Sequence, residues 1–160
     1  MAAKILVVFY SRSGMTRRIA QALAGALHAD LEEITEPRSR SGLLGYLRSA
    51  TEARRMCPAT IAPVKHDVAA YDLVIVGTPV WAWSLSSPVR AFLLATATRL
   101  PAVAFFCTMG GSGSEKAFAQ MAAIVGKQPR AVCAITQREV LAGNYRGPLV
   151  TFERALAHAS

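Results

Sequence analysis

Five runs of apolar residues alternate along the chain with segments in which apolar residues recur at helical spacing. Four of the runs are almost continuously apolar, which is typical of strands covered on both faces in a parallel sheet. The second run carries more charge and suits an edge strand. The predicted strands are residues 5–9, 31–34, 73–76, 102–106 and 131–135.

Apolar residues spaced three or four apart predict five helices between and after these strands. Pro88 suits the start of one helix and Gly126 the end of another. The apolar positions are Ile19, Leu23 and Leu27; Leu43, Leu44 and Leu47; Val89, Phe92 and Leu93; Phe118, Met121, Ala122 and Val125; and Leu149, Phe152 and Leu156. Because crossovers between parallel strands are right-handed, this alternation predicts an α/β three-layer sandwich around a five-stranded parallel sheet. We expect this sandwich to form a single domain over residues 1–160.

The composition agrees with one globular domain and narrows the functional classes. The chain has 160 residues, 52% of them apolar, so a sizeable core is expected and disorder is not. No segment suits a membrane span, and the N-terminal apolar run is too short for a signal peptide, so we expect a cytoplasmic protein. Cys57, Cys107 and Cys133 are scattered and, like the three histidines, match no disulfide framework or metal-binding motif.

The chain is strongly basic, with a formal net charge of +8 and a local excess of arginines between residues 38 and 55. Such an excess attracts nucleic acid, an anionic membrane surface or an acidic protein, although it can equally be a solvated face. No nucleic-acid-binding motif accompanies it, so nucleic acid is not an expected partner.

The first predicted strand runs directly into a hydroxyl-rich turn that opens a helix. This first loop, residues 11–16, has the sequence Ser-Arg-Ser-Gly-Met-Thr. The free N–H groups and the dipole of a helix N-terminus attract anions, and hydroxyl side chains add donors. The Gly-Lys-Ser/Thr of a triphosphate loop and the GxGxxG of a dinucleotide turn are both missing, which favours a terminal monophosphate. The alternative is an ordinary Ser/Gly turn with a helix cap.

Two further loops of unusual composition leave the same edge of the predicted sheet. The second loop, residues 77–84, holds Trp81 and Trp83, which suit stacking on a planar ring or, alternatively, packing beneath the loop. The third loop, residues 107–113, holds three glycines, which suit close backbone approach to a flat ligand or, alternatively, a flexible connector. Because ligands bind at the carboxyl ends of parallel strands, the three loops predict one site.

In these three loops the chain resembles the flavodoxin family, and the resemblance covers nearly its whole length. It implies the strand order 2-1-3-4-5 and the cofactor FMN. The first loop would hold the FMN phosphate, Thr78 and Pro79 would lie near the ribityl chain, and the tryptophans and the third loop would border the isoalloxazine. The site residues implied are Ser11, Arg12, Ser13, Gly14, Met15, Thr16, Thr78, Pro79, Val80, Trp81, Ala82, Trp83, Thr108, Met109, Gly110, Gly111 and Gly113.

Three departures from the family pattern bear on function. Ser11 and Met15 stand where the family commonly has threonine and asparagine, but the hydroxyls needed for phosphate binding are kept. The third loop lacks the tyrosine that electron-carrying flavodoxins often stack on the flavin, which implies one open flavin face. Such carriers are typically acidic, whereas this chain is basic.

The resemblance therefore implies an FMN-dependent redox protein that transfers electrons between protein partners, and the basic charge favours an acidic partner. The alternative is an NAD(P)H:quinone-type oxidoreductase, in which a nicotinamide cofactor and a quinone use the open flavin face. A third hypothesis is a binding module that keeps the fold and has lost the flavin.

Overall fold

A computed structural model of the chain describes residues 2–37, 42–54 and 59–159. Cys57 and the arginines at positions 38, 40 and 55 lie outside these described residues. The strands are β1 (Ile5–Phe9), β2 (Asp30–Glu33), β3 (Leu73–Trp81), β4 (Ser84–Leu85), β5 (Ala102–Met109) and β6 (Val132–Thr136). The helices are α1 (Met15–Leu27), α2 (Gly42–Arg54), α3 (Ser87–Thr96), α4 (Ser114–Val125), α5 (Gln137–Ala142) and α6 (Arg146–His158), with a 3-10 turn over Val68–Ala70.

The strands form a sheet whose main path has the order β2-β1-β3-β5-β6, with every neighbouring pair parallel. The two-residue strand β4 pairs antiparallel with the end of β3. When this short strand is left out of the numbering, the order is the predicted 2-1-3-4-5. The predicted fold class and the flavodoxin-like topology are therefore confirmed.

Helices cover both faces of the sheet, which gives the three layers. On one face, the apolar stripes of α1 and α6 pack with Val140 of α5 against the inward residues of the central strands. On the other face, α3 and α4 contribute Phe92 and Met121 to a second cluster of buried side chains. Two apolar clusters on opposite faces explain why the central strands are apolar almost throughout.

Helix α2 was predicted from three leucines, but two of them do not face the core. Leu44 and Leu47 are exposed, whereas Gly45 and Ser49 are buried. The Ser49 hydroxyl donates to the carbonyl oxygen of Gly45 at 2.8 Å, one turn earlier. Among the side chains of α2 that the structure describes, the buried ones at positions 45 and 49 are therefore small.

The central strands extend further than their apolar runs. β3 continues through Thr78 and Pro79, which pair with Cys107 and Thr108 of β5 in parallel register. At Pro79, pairing with a neighbour outweighs the weak strand preference of proline. Gly77 allows this close pairing, because a Cβ atom there would overlap the ring of Phe106.

Candidate functional site: a groove at the carboxyl edge of the sheet

A groove lies where β1, β3 and β5 end and α1 begins. It holds about 590 Å³ of space, part of it open to solvent. Its lining comes from all three predicted loops and from two helices. The lining residues are Arg12, Ser13, Met15, Thr16, Ser49, Ala50, Pro79, Val80, Trp81, Ala82, Thr108, Met109, Gly110 and Gln137.

Most of the predicted site residues therefore meet in one place, including members of each loop. The remaining predicted residues do not line the groove. They are Ser11, Gly14, Thr78, Trp83, Gly111 and Gly113. Among them, Ser11, Gly14, Thr78, Trp83 and Gly113 have contacts or backbone angles that explain how the loops are held.

The first loop is held by a bond from its own backbone. The N–H of Gly14 donates to Ser11 Oγ at 3.0 Å, and Gly14 has a φ of 95°, a left-handed conformation that glycine adopts without strain. Gly14 is also the N-cap of α1, and no side chain caps the helix from that position. The N–H groups of the first turn of this 13-residue helix are thus left for a ligand in the groove.

The first and third loops meet through two hydroxyl groups. Thr16 Oγ1 and Thr108 Oγ1 lie 2.7 Å apart, and the residues are only 1% and 4% exposed. Thr16 is the second residue of α1, and Thr108 is near the end of β5. The pair joins the start of a helix to the end of a central strand at the floor of the groove.

The second loop proves to be a tight hairpin, and this corrects its predicted extent. Residues 77–81 belong to β3, and the turn to β4 consists of Ala82 and Trp83, with φ angles of 48° and 59°. Two successive left-handed residues are typical of a type I′ hairpin turn, but glycine or asparagine usually occupies it. The Ala-Trp turn is therefore strained by about 1–2 kcal/mol per residue.

The two tryptophans have different environments. Trp81 is 8% exposed and packs edge to face on Tyr10, with 5.6 Å between the ring centroids. Trp83 is 59% exposed, and its Nε1–H donates to Ser112 Oγ at 3.1 Å. The alternative of packing beneath the loop thus applies to Trp81, although Trp81 also lines the groove. Trp83 bridges the hairpin turn to the third loop.

Thr78 lies next to the groove, but its hydroxyl is used within the fold. Thr78 is fully buried, and its Oγ1 accepts from the N–H of Ser86 at 3.0 Å. The same oxygen lies 3.1 Å from Ser86 Oγ. Thr78 therefore links β3 to the start of α3 and helps to hold the hairpin that lies between them.

The third loop is held in place rather than free to flex. Gly113 has a φ of 103° and is the N-cap of α4. A Cβ atom at this position would lie 2.8 Å from Val80 Cγ1 and 2.9 Å from Cα of Trp83. The glycine lets the loop approach the hairpin closely, which argues against the alternative of a flexible connector.

Three lining residues were not predicted from the sequence. Ser49 and Ala50 come from α2, and Gln137 is the first residue of α5. Gln137 follows β6 at the same edge as the three loops, so the strand pattern contained a signal for it. Ser49 and Ala50 carried no such signal, because only the packing of α2 brings them to the groove.

Helix α2 is connected to the groove by a chain of polar contacts. The Tyr10 hydroxyl donates to Glu36 Oε1 at 2.9 Å, and Arg48 Nη2 donates to Glu36 Oε2 at 3.2 Å. Tyr10 is also the ring on which Trp81 packs. The contacts place α2 beside the hairpin and complete one wall of the groove.

Comparison with known proteins agrees with the observed fold. A sequence model described as Flavodoxin matches residues 4–134. The chain belongs to the flavodoxin family. No curated protein sequence matches it.

Solved structures share the fold of this flavodoxin-family chain at low sequence identity. A flavoprotein from Lactobacillus acidophilus, solved in complex with FMN, is 24% identical with a TM-score of 0.74, covering 88% of this chain and 98% of that one. A Bacteroides eggerthii protein named as a flavoprotein is 21% identical with a TM-score of 0.74, covering 94% and 98%. Flavodoxin 1 from Bacillus cereus is 13% identical with a TM-score of 0.55, covering 99% and 100%.

Two buried thiols and an ion pair limit the chemistry of this flavodoxin-family chain. Burial raises the pKa of the Cys107 thiol to about 12, and that of Cys133 to about 11. Neither thiol is a thiolate near neutral pH, so neither is an activated nucleophile. Arg17 Nε donates to Glu33 Oε1 at 3.0 Å and Nη2 to Oε2 at 2.5 Å, and this hydrogen bonding raises the arginine pKa. Arg17, in the first turn of α1, is therefore paired with Glu33 of β2.

Two wider properties concern the part of the chain that the structure describes. None of its helices combines the length and the apolar character needed to cross a bilayer. Within the same residues, no three histidine, cysteine or acidic side chains gather in a way that would hold a metal ion.

Proposed function

We propose that this protein binds FMN in the groove and transfers electrons between protein partners. The observation that carries the proposal is the junction of an uncapped helix N-terminus, two hydroxyl side chains and a buried tryptophan within one groove. Membership of the flavodoxin family supports it. So does the FMN complex of the Lactobacillus acidophilus protein.

The residues present suit each part of FMN. The start of α1, with the hydroxyls of Ser13 and Thr16, would hold the phosphate, because a helix N-terminus and neutral donors favour an anion. Arg12 is the one charged residue among the described lining residues and would add a positive charge. The apolar strip from Pro79 to Ala82 would border the flavin ring.

The FMN ring supplies the redox chemistry when bound, and the chain's residues position it and exclude water. Trp81 is held by Tyr10 and gives a fixed apolar wall. The net charge of +8 favours negative charge on a bound group. We therefore expect less negative reduction potentials than in an acidic relative, and a redox titration that gives a strongly negative second couple would contradict this.

Affinity for FMN is the first test of the proposal. Ser13→Ala and Thr16→Ala should each weaken FMN binding by about tenfold, since a hydrogen bond to a charged group contributes roughly 1.5 kcal/mol. Thr151→Ala is a matched control, because Thr151 is exposed on α6 and bonds to Gly147 O at 3.1 Å, outside the groove. Fluorescence quenching of free FMN measures the dissociation constants. Equal affinities in all three variants would place the phosphate elsewhere.

A second candidate function is an FMN-dependent NAD(P)H:quinone oxidoreductase. It is favoured by the third loop, where Met109 and Gly110 line the groove and no aromatic side chain is present. An uncovered flavin face would leave room for a nicotinamide or quinone ring.

Stepwise reduction of the FMN-loaded protein separates the two functions. Two well-separated one-electron steps favour the carrier, as does electron exchange with an acidic protein that weakens with salt. Rapid oxidation of NADH or NADPH in the presence of a quinone favours the reductase.

A further inference from the structure

The Thr16–Thr108 pair has a property that neither residue has alone. Each hydroxyl carries one proton and two lone pairs, so only one of the two can donate along the 2.7 Å contact. A phosphate oxygen near neutral pH is chiefly an acceptor. Thr16 can donate to such an oxygen only when it accepts the bond from Thr108, because its single proton cannot serve both.

We propose that Thr108 is a positioning residue for phosphate binding: it donates to Thr16 Oγ1 and so directs the Thr16 proton into the groove. The inference rests on the proposed function, because it assumes a phosphate at the start of α1. It assigns Thr108 a role at the phosphate end of FMN, whereas the family resemblance implied a role beside the flavin ring.

The surroundings of the pair support this order of donation. Thr108 is held on both sides of β5, in register with Pro79 of β3 and Ile135 of β6, and Thr16 is held within the first turn of α1. Neither backbone can move away easily, so the contact persists when a ligand enters. With a single arginine among the described lining residues, much of the anion's recognition depends on well-aligned neutral donors.

The test compares FMN with riboflavin, which lacks the phosphate, in Thr108→Val and Thr108→Ser. Valine keeps the branched shape and removes the hydroxyl, while serine keeps the hydroxyl. Thr108→Val should weaken FMN binding by about three- to tenfold, the usual range for one hydrogen bond, and leave riboflavin binding unchanged. Thr108→Ser should bind FMN nearly as the parent chain does. Circular dichroism checks that the variants are folded.

A double-mutant cycle with Thr16→Val tests the path through Thr16. If Thr108 acts only through Thr16, the Thr16→Val/Thr108→Val protein should bind FMN no more weakly than Thr16→Val alone. If the two substitutions weaken FMN binding independently, so that their fold-losses multiply in the double variant, the inference is overturned. It is also overturned if Thr108→Val weakens FMN and riboflavin binding equally, or weakens neither. A parent chain that binds FMN no better than riboflavin would instead remove the phosphate site, and the proposed function with it.

Discussion

Replacing Gly113 by alanine tests whether contact between the third loop and the hairpin shapes the groove. The added Cβ atom would lie 2.8 Å from Val80 Cγ1 and 2.9 Å from Cα of Trp83. Because the second atom belongs to the backbone, no side-chain rotation relieves the overlap. The residue must also keep a φ of 103°, which side chains rarely adopt.

The expected loss of stability has two parts. A left-handed backbone angle costs a residue other than glycine about 1–2 kcal/mol. Forcing packed groups apart adds about 1–3 kcal/mol. Gly113→Ala should therefore lower the free energy of unfolding by roughly 2–5 kcal/mol, a large part of the ~5–15 kcal/mol that holds a typical domain together.

Two other glycines separate these parts. Gly126, the C-cap of α4, has a φ of 77° but nothing within 4 Å of an added Cβ, so Gly126→Ala should show the backbone cost alone, about 1–2 kcal/mol. Gly111 has open space and no left-handed angle, so Gly111→Ala should change stability by less than about 0.5 kcal/mol.

Urea unfolding followed by circular dichroism measures the three stabilities, and FMN titration measures the groove. We expect weaker FMN binding only in Gly113→Ala, because only that change moves the hairpin that carries Val80. If Gly113→Ala were no less stable than Gly126→Ala, the contact with the hairpin would contribute nothing. A destabilised Gly113→Ala protein with unchanged FMN affinity would show that the hairpin does not form part of the site.

Two further changes test the core beneath the groove. Gly77→Ala should destabilise the fold by more than about 2 kcal/mol, because its Cβ would overlap the Phe106 ring, and adding Phe106→Leu should restore part of the loss in urea unfolding. The free energy of unfolding should also fall as pH rises above 9, because the unfolded thiols of Cys107 and Cys133 ionise there while the folded ones resist until about pH 12 and 11. Each thiol lowers the free energy of unfolding by about 1.4 kcal/mol per pH unit in that window. Replacing either cysteine by alanine should therefore make this loss of stability less steep. An alanine variant that loses stability above pH 9 as steeply as the parent chain would contradict the role given to that thiol.

The fold could be predicted from the sequence because its strongest signals are local. Apolar runs and helical spacing located every strand of the parallel sheet and most helices of the described chain. The errors lie where tertiary contacts decide. Gly77, Thr78 and Pro79 suggest a loop by themselves, but pairing with β5 keeps them in β3. The six-residue helix α5 was missed because it is too short to show a helical pattern.

The lining residues of the groove could be predicted where the signal for them lies within a single loop. Hydroxyls and glycines next to strand ends identified the three loops, and most of their members line the groove. The contribution of Ser49 depends on how α2 packs, which no local pattern contains. The different environments of Trp81 and Trp83 were equally hidden, since both residues belong to the same short segment and only the turn between β3 and β4 separates them.

Hydrogen bonds within the protein hold the first loop and join the third loop to the other two. Ser11 holds Gly14, Thr16 meets Thr108, and Trp83 meets Ser112. Ordering a loop upon binding consumes about 0.5–1.5 kcal/mol for each side chain immobilised, and loops already held by internal bonds avoid much of that loss. The strained hairpin turn fits the same argument, because strain persists only where surrounding contacts enforce the conformation. Contacts within the protein therefore already hold the walls of the groove in one arrangement.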